Sequence, residues 1–175
     1  MALKSDYTGQ ECSIARTLEI VGERWTLLIL RDLFFGVRRF TDLYRHLAIP
    51  KAVLTVRLDR LVAAGVLDRA EHRPGRPEYR LTATGLDLWP TLHALNDWGN
   101  THQAPNGPRA LYVHVDCGSV LSRGGFCAGC GTVPPVTDVE YRPGPGEPAE
   151  PEDPVDRALR PAHRLLTPLS TPAGR

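Results

Sequence analysis

The stretch from Phe40 to Tyr79 constrains the fold of this 175-residue chain more than any other. Within it, Leu54, Leu58 and Leu61 recur at the i, i+4, i+7 spacing of an amphipathic helix with one buried face. A proline lies near the start of this helix and a glycine follows its end, which are the positions that those residues favour. The preceding residues have the pattern of a shorter helix joined to it by a tight turn. This stretch therefore predicts a helix–turn–helix.

A β-hairpin is predicted directly after the second of these helices. Residues 67–72 roughly alternate between apolar and polar, as an edge strand does, and the strand pattern resumes at Tyr79. The intervening sequence RPGRP at 73–77 contains too much proline and glycine for anything but a turn. A helix–turn–helix followed by a hairpin is a winged helix, so the predicted fold class is mainly α with a small β part (α+β).

Three further helices are predicted around this motif. The first has Ser13 as its N-cap, and the second, Arg24–Phe35, is apolar nearly all round, as the central helix of a small domain would be. The third follows the hairpin, has Thr82 as its N-cap and continues to Asn96. Because a proline lies inside this last pattern, the helix is either kinked or split into two shorter helices.

The first and last helices carry more apolar surface than a domain of about 100 residues easily covers. Two interpretations stay open: these side chains close the core of one chain, or they cover the same surfaces of a second copy. If the chain binds DNA as a two-fold dimer, the second interpretation is favoured. In such a dimer the paired recognition helices lie one turn apart and bind palindromic half-sites. The residues concerned are Ile14, Leu18, Val21, Trp89, Leu92 and Trp98.

Basic residues concentrate in the same part of the chain. The whole chain has a net charge of only +1, but residues 38–80 contain ten Lys and Arg against five Asp and Glu. Duplex DNA attracts such a patch, because phosphates that pair with basic side chains release their counterions. The alternative is a charged face that is simply solvated.

Residues 12–99 resemble, in collinear order, the HxlR-type (MarR-like) winged helix-turn-helix transcriptional regulators. The resemblance implies a cytoplasmic homodimer with its first and last helices at the interface, which binds operator DNA and usually acts as a repressor. The recognition helix departs from the family in having Ala52, Val53 and Val56 where polar residues are frequent, and this leaves the base preference open. The segments that carry the resemblance are CSIA at 12–15, GERWTLLILRDL at 22–33, RFTDL at 39–43, LTVRL at 54–58, YRLTATG at 79–85 and LNDWG at 95–99.

The recognition helix, residues 50–64, is expected to lie in the major groove, with the wing, residues 72–78, beside it. When the leucine stripe faces inward, Lys51 and Thr55 lie on the leading or outward side, where they can reach bases or phosphates. For each arginine in this region, the alternative to a phosphate contact is solvent or an intramolecular salt bridge. The candidate DNA-binding residues are Arg38, Arg39, Lys51, Thr55, Arg57, Arg73 and Arg76.

A metal site is predicted farther along the chain from the spacing His-x2-Cys-x9-Cys-x2-Cys, which places His114, Cys117, Cys127 and Cys130. Two thiolates separated by two residues and followed by glycine can bind one ion, and a second pair completes a tetrahedral zinc site. Water or Asp116 are alternatives to His114 as the fourth ligand, and a ribbon with free or oxidised thiols is the alternative to a metal site. A closed, sulfur-rich zinc site would stabilise a unit that is too small for its own core.

The remaining cysteine, Cys12, lies at the start of the first predicted helix, where amide dipoles lower a thiol pKa and favour the thiolate. Its position matches an N-terminal cysteine that some members of the resembled family use to sense oxidants or electrophiles, so Cys12 is a possible redox site. The alternative is a small, inert side chain.

The chain is predicted to have three parts. Residues 1–104 form the winged-helix DNA-binding domain, residues 111–140 the small zinc-ribbon-like unit, and residues 141–175 a tail, rich in proline and acidic residues, that is largely disordered. Within this tail, residues 155–169 have the pattern of a weak helix that Pro161 interrupts. The sequence has no run of about 18 apolar residues, and its first ten residues lack the apolar core of a signal peptide. We therefore expect no membrane partner and a cytoplasmic location.

No enzymatic activity is expected, because the sequence lacks HExxH, GxSxG and P-loop patterns and sulfur-rich zinc sites are usually structural. The predicted function is that of a sequence-specific transcriptional repressor, a homodimer on a palindromic operator, with a small-molecule effector that the sequence does not identify. The alternative is a redox- or ligand-responsive sensor whose main output is a partner protein rather than DNA.

Overall fold

The computed structural model of the chain describes residues 7, 9–73, 76–146 and 153–169, and of residues 72, 73 and 76 it describes only the backbone. Two short 3-10 turns, Arg123–Gly125 and Val136–Asp138, lie between the third and fourth strands. The helices and strands are, in chain order, α1 (Ser13–Val21), α2 (Thr26–Phe34), α3 (Phe40–Leu47), α4 (Lys51–Ala63), β1 (Leu67–Arg73), β2 (Arg76–Leu81), α5 (Ala83–Leu86), α6 (Trp89–His102), β3 (Ala110–His114), β4 (Val139–Pro143), α7 (Pro154–Leu159) and β5 (His163–Arg164).

The winged helix forms around α2 and α4, as predicted. Ile29 and Leu30 of α2 are fully buried, as are the three leucines of the α4 stripe, and all five belong to one apolar cluster. The wing is an antiparallel hairpin of β1 and β2 in which Leu67 pairs with Leu81. The periodicity of α4 and the nearly all-apolar pattern of α2 are therefore confirmed by the burial of the side chains.

The turn between α3 and α4 holds the helix–turn–helix in shape. Ala48 adopts the left-handed conformation, with φ of 50°, and Ile49 beside it is buried. Pro50 is the N-cap of α4, so the missing N–H of proline removes no helical hydrogen bond.

The helix after the wing is split rather than kinked. Thr82 is the N-cap, as predicted, and its hydroxyl oxygen accepts a hydrogen bond from Gly85 N at 3.1 Å. Helix α5 ends after one turn, and Pro90 then occupies the first turn of α6, where it costs no hydrogen bond. Helix α6 continues to His102, so the predicted end at Asn96 is too early.

The predicted cap of α1 is wrong by one residue. Cys12 is the N-cap, and its side chain makes no capping hydrogen bond, while Ser13 is the first helical residue. A capping hydroxyl accepts from an N–H group of the first turn only when it belongs to the residue just before the helix. Ser13 is already inside the helix, so its hydroxyl cannot cap it.

The ribbon, residues 110–143, does not stand apart from the winged helix. Its two strands, β3 and β4, form a three-stranded antiparallel sheet of order β3-β4-β5 with β5 from later in the chain, and Tyr112 pairs with Tyr141. These two side chains share an apolar cluster with Phe34 of α2 and Trp89 of α6. The ring centroids of Trp89 and Tyr112 are 4.9 Å apart in an edge-on arrangement. The core of the ribbon is therefore partly supplied by the winged helix.

The part of the tail that the structure describes is ordered, contrary to the expectation of disorder, and the weak helix expected before Pro161 is present as α7. Residues 153–169, here called the strap, form α7 and β5, and Val155 and Leu159 are buried in the core of the winged helix. Leu169 N donates to Gly36 O at 2.9 Å, which ties the end of the strap to α2. The strap has few apolar residues, but each of them packs against the core that the rest of the chain forms. This burial is sufficient to stabilise the ordered segment. Residues 147–152 and 170–175 of the predicted tail lie outside the described residues.

Gly36 explains how the strap comes so close to α2. Its φ is +88°, and a Cβ atom at this position would lie 1.8 Å from the carbonyl oxygen of Thr167. Glycine supplies both the left-handed backbone and the space for the strap.

The apolar faces of α1 and α6 are exposed in the single chain. Ile14 is 69% exposed, Leu95 49% and Trp98 58%, whereas Val21 and Trp89 are buried. Of the two interpretations of these faces, closure of the core of one chain does not account for Ile14 or Trp98. Among the described residues, no helix is long and apolar enough to span a membrane.

Candidate nucleic-acid interface and metal cluster

The outward face of α4 is exposed opposite the buried leucine stripe. Lys51, Ala52, Thr55 and Val56 all lie on this face, as predicted, and Val56 is 47% exposed. The hydroxyl of Thr55 donates to Lys51 O at 3.0 Å, which holds it against the helix backbone. The ammonium nitrogen of Lys51 lies 5.3 Å from the ring centroid of Tyr44, a cation–π contact with α3. This face presents small and apolar groups with a cation at its N-terminal end.

Arg57 forms an intramolecular salt bridge, which is one of the alternatives to a phosphate contact. Its Nη2 donates to Glu23 Oε2 at 2.8 Å, and only 18% of its side chain is exposed. Glu23 precedes α2 and also lies 3.8 Å from Arg60 Nη1. Sequence reasoning missed Glu23, because no local signal connects two residues 34 positions apart. Arg57 therefore joins α4 to the start of α2 in this structure.

Arg38 and Arg39 lie where the loop before α3 meets the wing. Arg39 pairs with Glu78 of β2 in an isolated β-bridge, and Tyr79 N donates to Arg38 O at 2.8 Å. Arg39 Nε is 3.9 Å from Glu78 Oε1, a weak pair that leaves 45% of the arginine side chain exposed. The backbone thus holds both arginines beside the base of the wing.

The side chain of Arg38 is held by the strap. Its Nη2 donates to Leu166 O at 2.7 Å, and it is half-buried. Burial, and then the neighbouring charge of Arg80, lower the pKa of Arg38 from its usual range. A half-buried guanidinium that already has a carbonyl partner is less available to a phosphate than an exposed one.

The tip of the wing carries the two remaining candidates. Arg73 and Arg76 pair across the hairpin, and their side chains lie outside the described part of the chain. At the base of the hairpin, the guanidinium of Arg69 lies 6.0 Å from the ring centroid of Tyr79, and Arg80 lies 3.5 Å from Glu78. These two arginines add positive charge to the wing.

The four predicted metal ligands come together at one end of the ribbon. Their ligand atoms, Nδ1 or Nε2 of His114 and Sγ of the three cysteines, all lie within 4.8 Å of one another. Cys117 Sγ lies 3.3 Å from Cys127 Sγ and 3.5 Å from His114 Nδ1. Zinc bond lengths of about 2.0–2.3 Å imply separations of about 3.5–3.8 Å between ligand atoms of a tetrahedron. The cluster can therefore hold one metal ion with small adjustments.

Two matching turns present these ligands. Gly118 N donates to His114 O and Gly131 N donates to Cys127 O, both at 2.9 Å. Gly118 and Gly131 have φ of +69° and +67°, a conformation that the tight turn requires and glycine adopts without strain. His114 and Cys127 thus hold equivalent positions, which supports His114 over water or Asp116 as the fourth ligand.

The thiols of the cluster differ strongly in acidity. Hydrogen bonds from the hydroxyl and the backbone of Ser119 lower the pKa of Cys117 to about 6. The hydrogen bond with Cys117 and burial raise the pKa of Cys130 to about 11. Two thiolates this close repel each other, so a bound cation would be needed for all three to ionise together.

Cys12 is exposed at the start of α1, as predicted. The backbone N–H groups of Ala15 and then of Ile14 lower its thiol pKa, because the sulfur lies at the N-terminal end of α1, where these groups stabilise the thiolate. The thiol is therefore accessible and more acidic than an ordinary cysteine.

Comparisons with known proteins agree with this geometry. A family model described as an HxlR-like helix-turn-helix matches residues 20–106. Rv3095 of Mycobacterium tuberculosis, described as an uncharacterized HTH-type transcriptional regulator, is 45% identical over 137 residues, which cover 77% of this chain and 87% of that protein. YdeP of Bacillus subtilis, described in the same way, is 32% identical over 105 residues, covering 56% of this chain and 81% of its own. The crystal structure of PA1607, a candidate transcription factor, has a TM-score of 0.61 and 36% identity, covering 71% of this chain and 89% of that one.

Proposed function

This chain belongs to the HxlR family of helix-turn-helix transcriptional regulators, and we propose that it is a repressor that binds a palindromic operator as a homodimer. The observation that carries this proposal is the exposed face of α4, which lies opposite a fully buried leucine stripe and next to a basic wing. Such a helix can enter the major groove without disturbing the core. We also propose a cytoplasmic location, where operator DNA is accessible.

The proposed DNA contacts divide into two groups. Lys51, Thr55 and Arg39 are contacts that need no rearrangement of a strong pair, and Arg73 and Arg76 of the wing are proposed with them from their place at the tip of the hairpin. Arg38 and Arg57 would exchange a carbonyl or carboxylate partner for a phosphate, so we propose that they contact DNA only in the complex. Phosphate contacts set the register, while Ala52 and Val56 can meet thymine methyl groups.

The experiment that tests this function is a titration of the purified full-length protein against fragments of its own promoter region at several salt concentrations. Saturable, salt-sensitive binding to one fragment supports the regulator. In Arg76→Ala we expect the slope of log affinity against log salt to become shallower by about one unit, because one phosphate contact is lost. Arg142→Ala, on the ribbon, is the matched control. An unchanged slope in R76A would remove the wing from the proposed interface.

The homodimer is proposed from the exposed apolar faces of α1 and α6. Ile14, Leu18, Leu95 and Trp98 give these two helices an apolar surface that the described residues of the single chain leave exposed. Trp98→Glu should convert the dimer to monomer in sedimentation velocity, because a buried, unpaired carboxylate is costly at an interface. Val133→Glu changes an equally exposed residue of the ribbon and should leave the dimer intact. A dimer that survives W98E would place the interface elsewhere.

For the metal cluster we propose structural zinc, held by His114, Cys117, Cys127 and Cys130. Three sulfur ligands and one nitrogen ligand are a donor set typical of structural zinc, with no open position for a reacting water. The bound ion would supply a cross-link between the two turns of the ribbon. The chain's own contribution is to hold the two turns in matching geometry through Gly118 and Gly131.

The second candidate function is a redox- or ligand-responsive sensor whose output is a partner protein. The observation that favours it is the exposed, acidified thiol of Cys12 beside the uncovered apolar face of α1. The promoter titration, repeated with reductant and with diamide, separates the two functions. Loss of DNA binding with diamide, restored by reductant and absent in Cys12→Ser, makes Cys12 a switch of the repressor. No specific binding under any redox condition favours the partner-protein sensor.

A further inference from the structure

The second half of the strap, residues 163–169, is here called the latch, because it is bonded to the segment that joins α2 to α3. Leu166 N donates a hydrogen bond to Phe34 O at 2.7 Å. Leu169 N donates a second one to Gly36 O at 2.9 Å. The latch is therefore attached to the backbone that leads directly into the helix–turn–helix.

The latch is held less firmly than the first half of the strap. Helix α7 is fixed by Val155 and Leu159, which are buried in the core of the winged helix. Among the described side chains of the latch, only Leu165 is buried. Pro161 lies between the two halves and follows the end of α7. Because a segment with few buried apolar contacts opens at a lower free energy than the core, the latch can detach while α7 stays in place.

Leu166 is the most strained residue of the latch. Its φ is 65°, in the left-handed region that side chains other than glycine rarely adopt. Such a conformation persists only where the surrounding contacts hold it. One of these contacts comes from Arg38, whose Nη2 donates to Leu166 O at 2.7 Å. Leu166 is therefore both the residue that binds this arginine and the residue whose strain favours release of the latch.

Arg38 lies beside the proposed DNA-binding surface but is bound to the latch. Tyr79 N donates to Arg38 O at 2.8 Å, which places the arginine at the base of the wing. The side chain of the neighbouring Arg39 is 45% exposed, whereas Arg38 is half-buried with a neutral carbonyl oxygen as its partner. A phosphate oxygen carries negative charge and is a stronger acceptor for a guanidinium than a carbonyl oxygen. DNA would therefore be the stronger partner for Arg38.

We propose that the latch is an autoinhibitory contact, in which Leu166 O withholds Arg38 from the DNA backbone, so that the latch and DNA compete for one guanidinium. This inference rests on the operator binding proposed above. Coupling between two binding events is reciprocal, so DNA loosens the latch by the same factor by which release of the latch strengthens DNA binding. Any change that detaches the latch therefore raises the affinity for the operator.

Leu166→Pro in the full-length protein tests this competition. Proline has no N–H to donate to Phe34 O, and its ring holds φ near about −65°, so the docked backbone of the latch cannot form. We expect L166P to bind a promoter fragment about five- to tenfold more tightly than the wild type does. In the Arg38→Ala background the same proline should change the affinity by less than about twofold, because no guanidinium remains to be released.

Arg39→Ala provides the matched background for this cycle. It removes the neighbouring arginine and keeps Arg38, so L166P should strengthen binding by the same factor in R39A as in the wild type. A general loosening of the protein by the proline would change the affinity equally in all backgrounds. An equal effect of L166P in R38A and in the wild type, or no gain in affinity in the wild type, would overturn the latch.

Hydrogen exchange of the wild-type protein is a second measurement, and it decides the matter where L166P fails to fold. Saturating promoter DNA should speed exchange of the amides of Leu166 and Leu169 and leave those of α7 protected. Unchanged or slower exchange of these two amides in the complex would overturn the latch while operator binding stands. If the wild type binds no promoter fragment saturably, the proposed function fails, and the latch fails with it.

Discussion

The winged helix and the ribbon are stabilised in different ways. In the winged helix, apolar residues repeat with the helical period, and α2 and α4 bury their side chains against each other and against the wing. The ribbon has a smaller cluster, in which Phe34 and Trp89 are supplied by the helices of its neighbour. Its two turns also converge on four side chains that can together hold one metal ion. The winged helix therefore depends on many apolar contacts that can replace one another, whereas the ribbon depends on the few ligand atoms of this cluster.

Because of this difference, different kinds of substitution destabilise the two regions. A core of many leucines loses stability in proportion to the apolar volume removed. A small unit that depends on a metal cross-link loses its order when one ligand is removed, because the remaining contacts do not offset the entropy of the chain. The following predictions test this contrast, beginning with the largest expected effect.

Cys127→Ser should have the largest effect, confined to the ribbon. Cys127 is fully buried and belongs both to the metal cluster and to the ribbon core. Metal binding contributes on the order of 10 kcal/mol to the folding of small zinc peptides. A ribbon that no longer binds the metal ion should therefore lose its ordered structure. We expect loss of bound zinc by elemental analysis and fast hydrogen exchange of the amides in residues 110–143. The winged-helix amides should stay protected.

Cys12→Ser is the control for this variant, since it removes a thiol outside the cluster. It should retain one zinc per chain and the exchange pattern of the wild type. Slow exchange of the ribbon in metal-free C127S would show that the shared core alone holds the ribbon together, and the contrast between the two regions would then disappear.

Leu58→Ala should have the largest effect on the winged helix. Leu58 is fully buried in the α4 stripe, and removing its side chain leaves a cavity in a close-packed core. The free energy of unfolding should fall by about 3 kcal/mol, measured by urea denaturation. Val56→Ala, on the exposed face of the same helix, should change it by less than about 0.5 kcal/mol. If the free energy of unfolding fell by a comparable amount in the two variants, the side chain of Val56 would have to be buried in solution.

Gly36→Ala tests the attachment of the strap. Alanine is strained at a φ of +88°, and its Cβ would collide with the carbonyl oxygen of Thr167. We expect a loss of about 2 kcal/mol in urea denaturation. Limited proteolysis should also cut the strap faster than in the wild type.

Gly65→Ala is matched to this change, because Gly65 also has a positive φ, +69°, but nothing lies within 4 Å of its Cβ position. It should cost only the backbone strain, about 1 kcal/mol, and should not expose the strap. Equal rates of strap cleavage in G36A and G65A would contradict a specific role for Gly36.

The smallest expected effects come from the partly buried His46 and the buried His93, which have opposite pH dependence. Burial lowers the pKa of His46, but the hydrogen bond and charge of Asp32 outweigh it, so that the pKa is raised overall. Its contribution to stability is therefore full below about pH 6.5 and is lost as the pH rises through the raised pKa. Burial lowers the pKa of His93 more than Asp97 raises it. The contribution of His93 is present above about pH 6.5 and is lost as the pH falls through the lowered pKa.

Urea denaturation from pH 5 to pH 8 separates the two histidines. His93→Gln removes the contribution of His93 and keeps that of His46, so stability should increase as the pH falls from 8 to 6. His46→Gln removes the contribution of His46 and keeps that of His93, so stability should decrease as the pH falls from 6.5 to 5. Parallel pH profiles in the two variants would contradict these opposite signs.

The sequence was sufficient for the elements whose evidence is local. The leucine stripe of α4, the Thr82 cap and the two CxxC-like turns each depend on residues within one turn or a few positions, and the structure has all three. The winged-helix fold followed from their order along the chain. The boundary of α6 was placed too early, because nothing at Asn96 or Trp98 ends a helix strongly.

Contacts between distant segments could not be predicted in the same way. The pair between Arg57 and Glu23 and the bond from Arg38 to Leu166 O join residues 34 and 128 positions apart. The sequence predicts only a weak helix in the strap and disorder around it, because its apolar residues are few and lie among prolines, a composition that cannot form a core alone. Its burial depends on a surface formed elsewhere in the chain.

The place of the strap in the sequence has a consequence for synthesis of the protein. Val155 and Leu159 fill the core of a domain that otherwise ends near residue 104, so the ribosome must add most of the chain before that core is complete. N-terminal segments generally fold first as they emerge. Here the DNA-binding domain reaches its full packing only when the strap has been made, so a product terminated before residue 153 would lack part of that core.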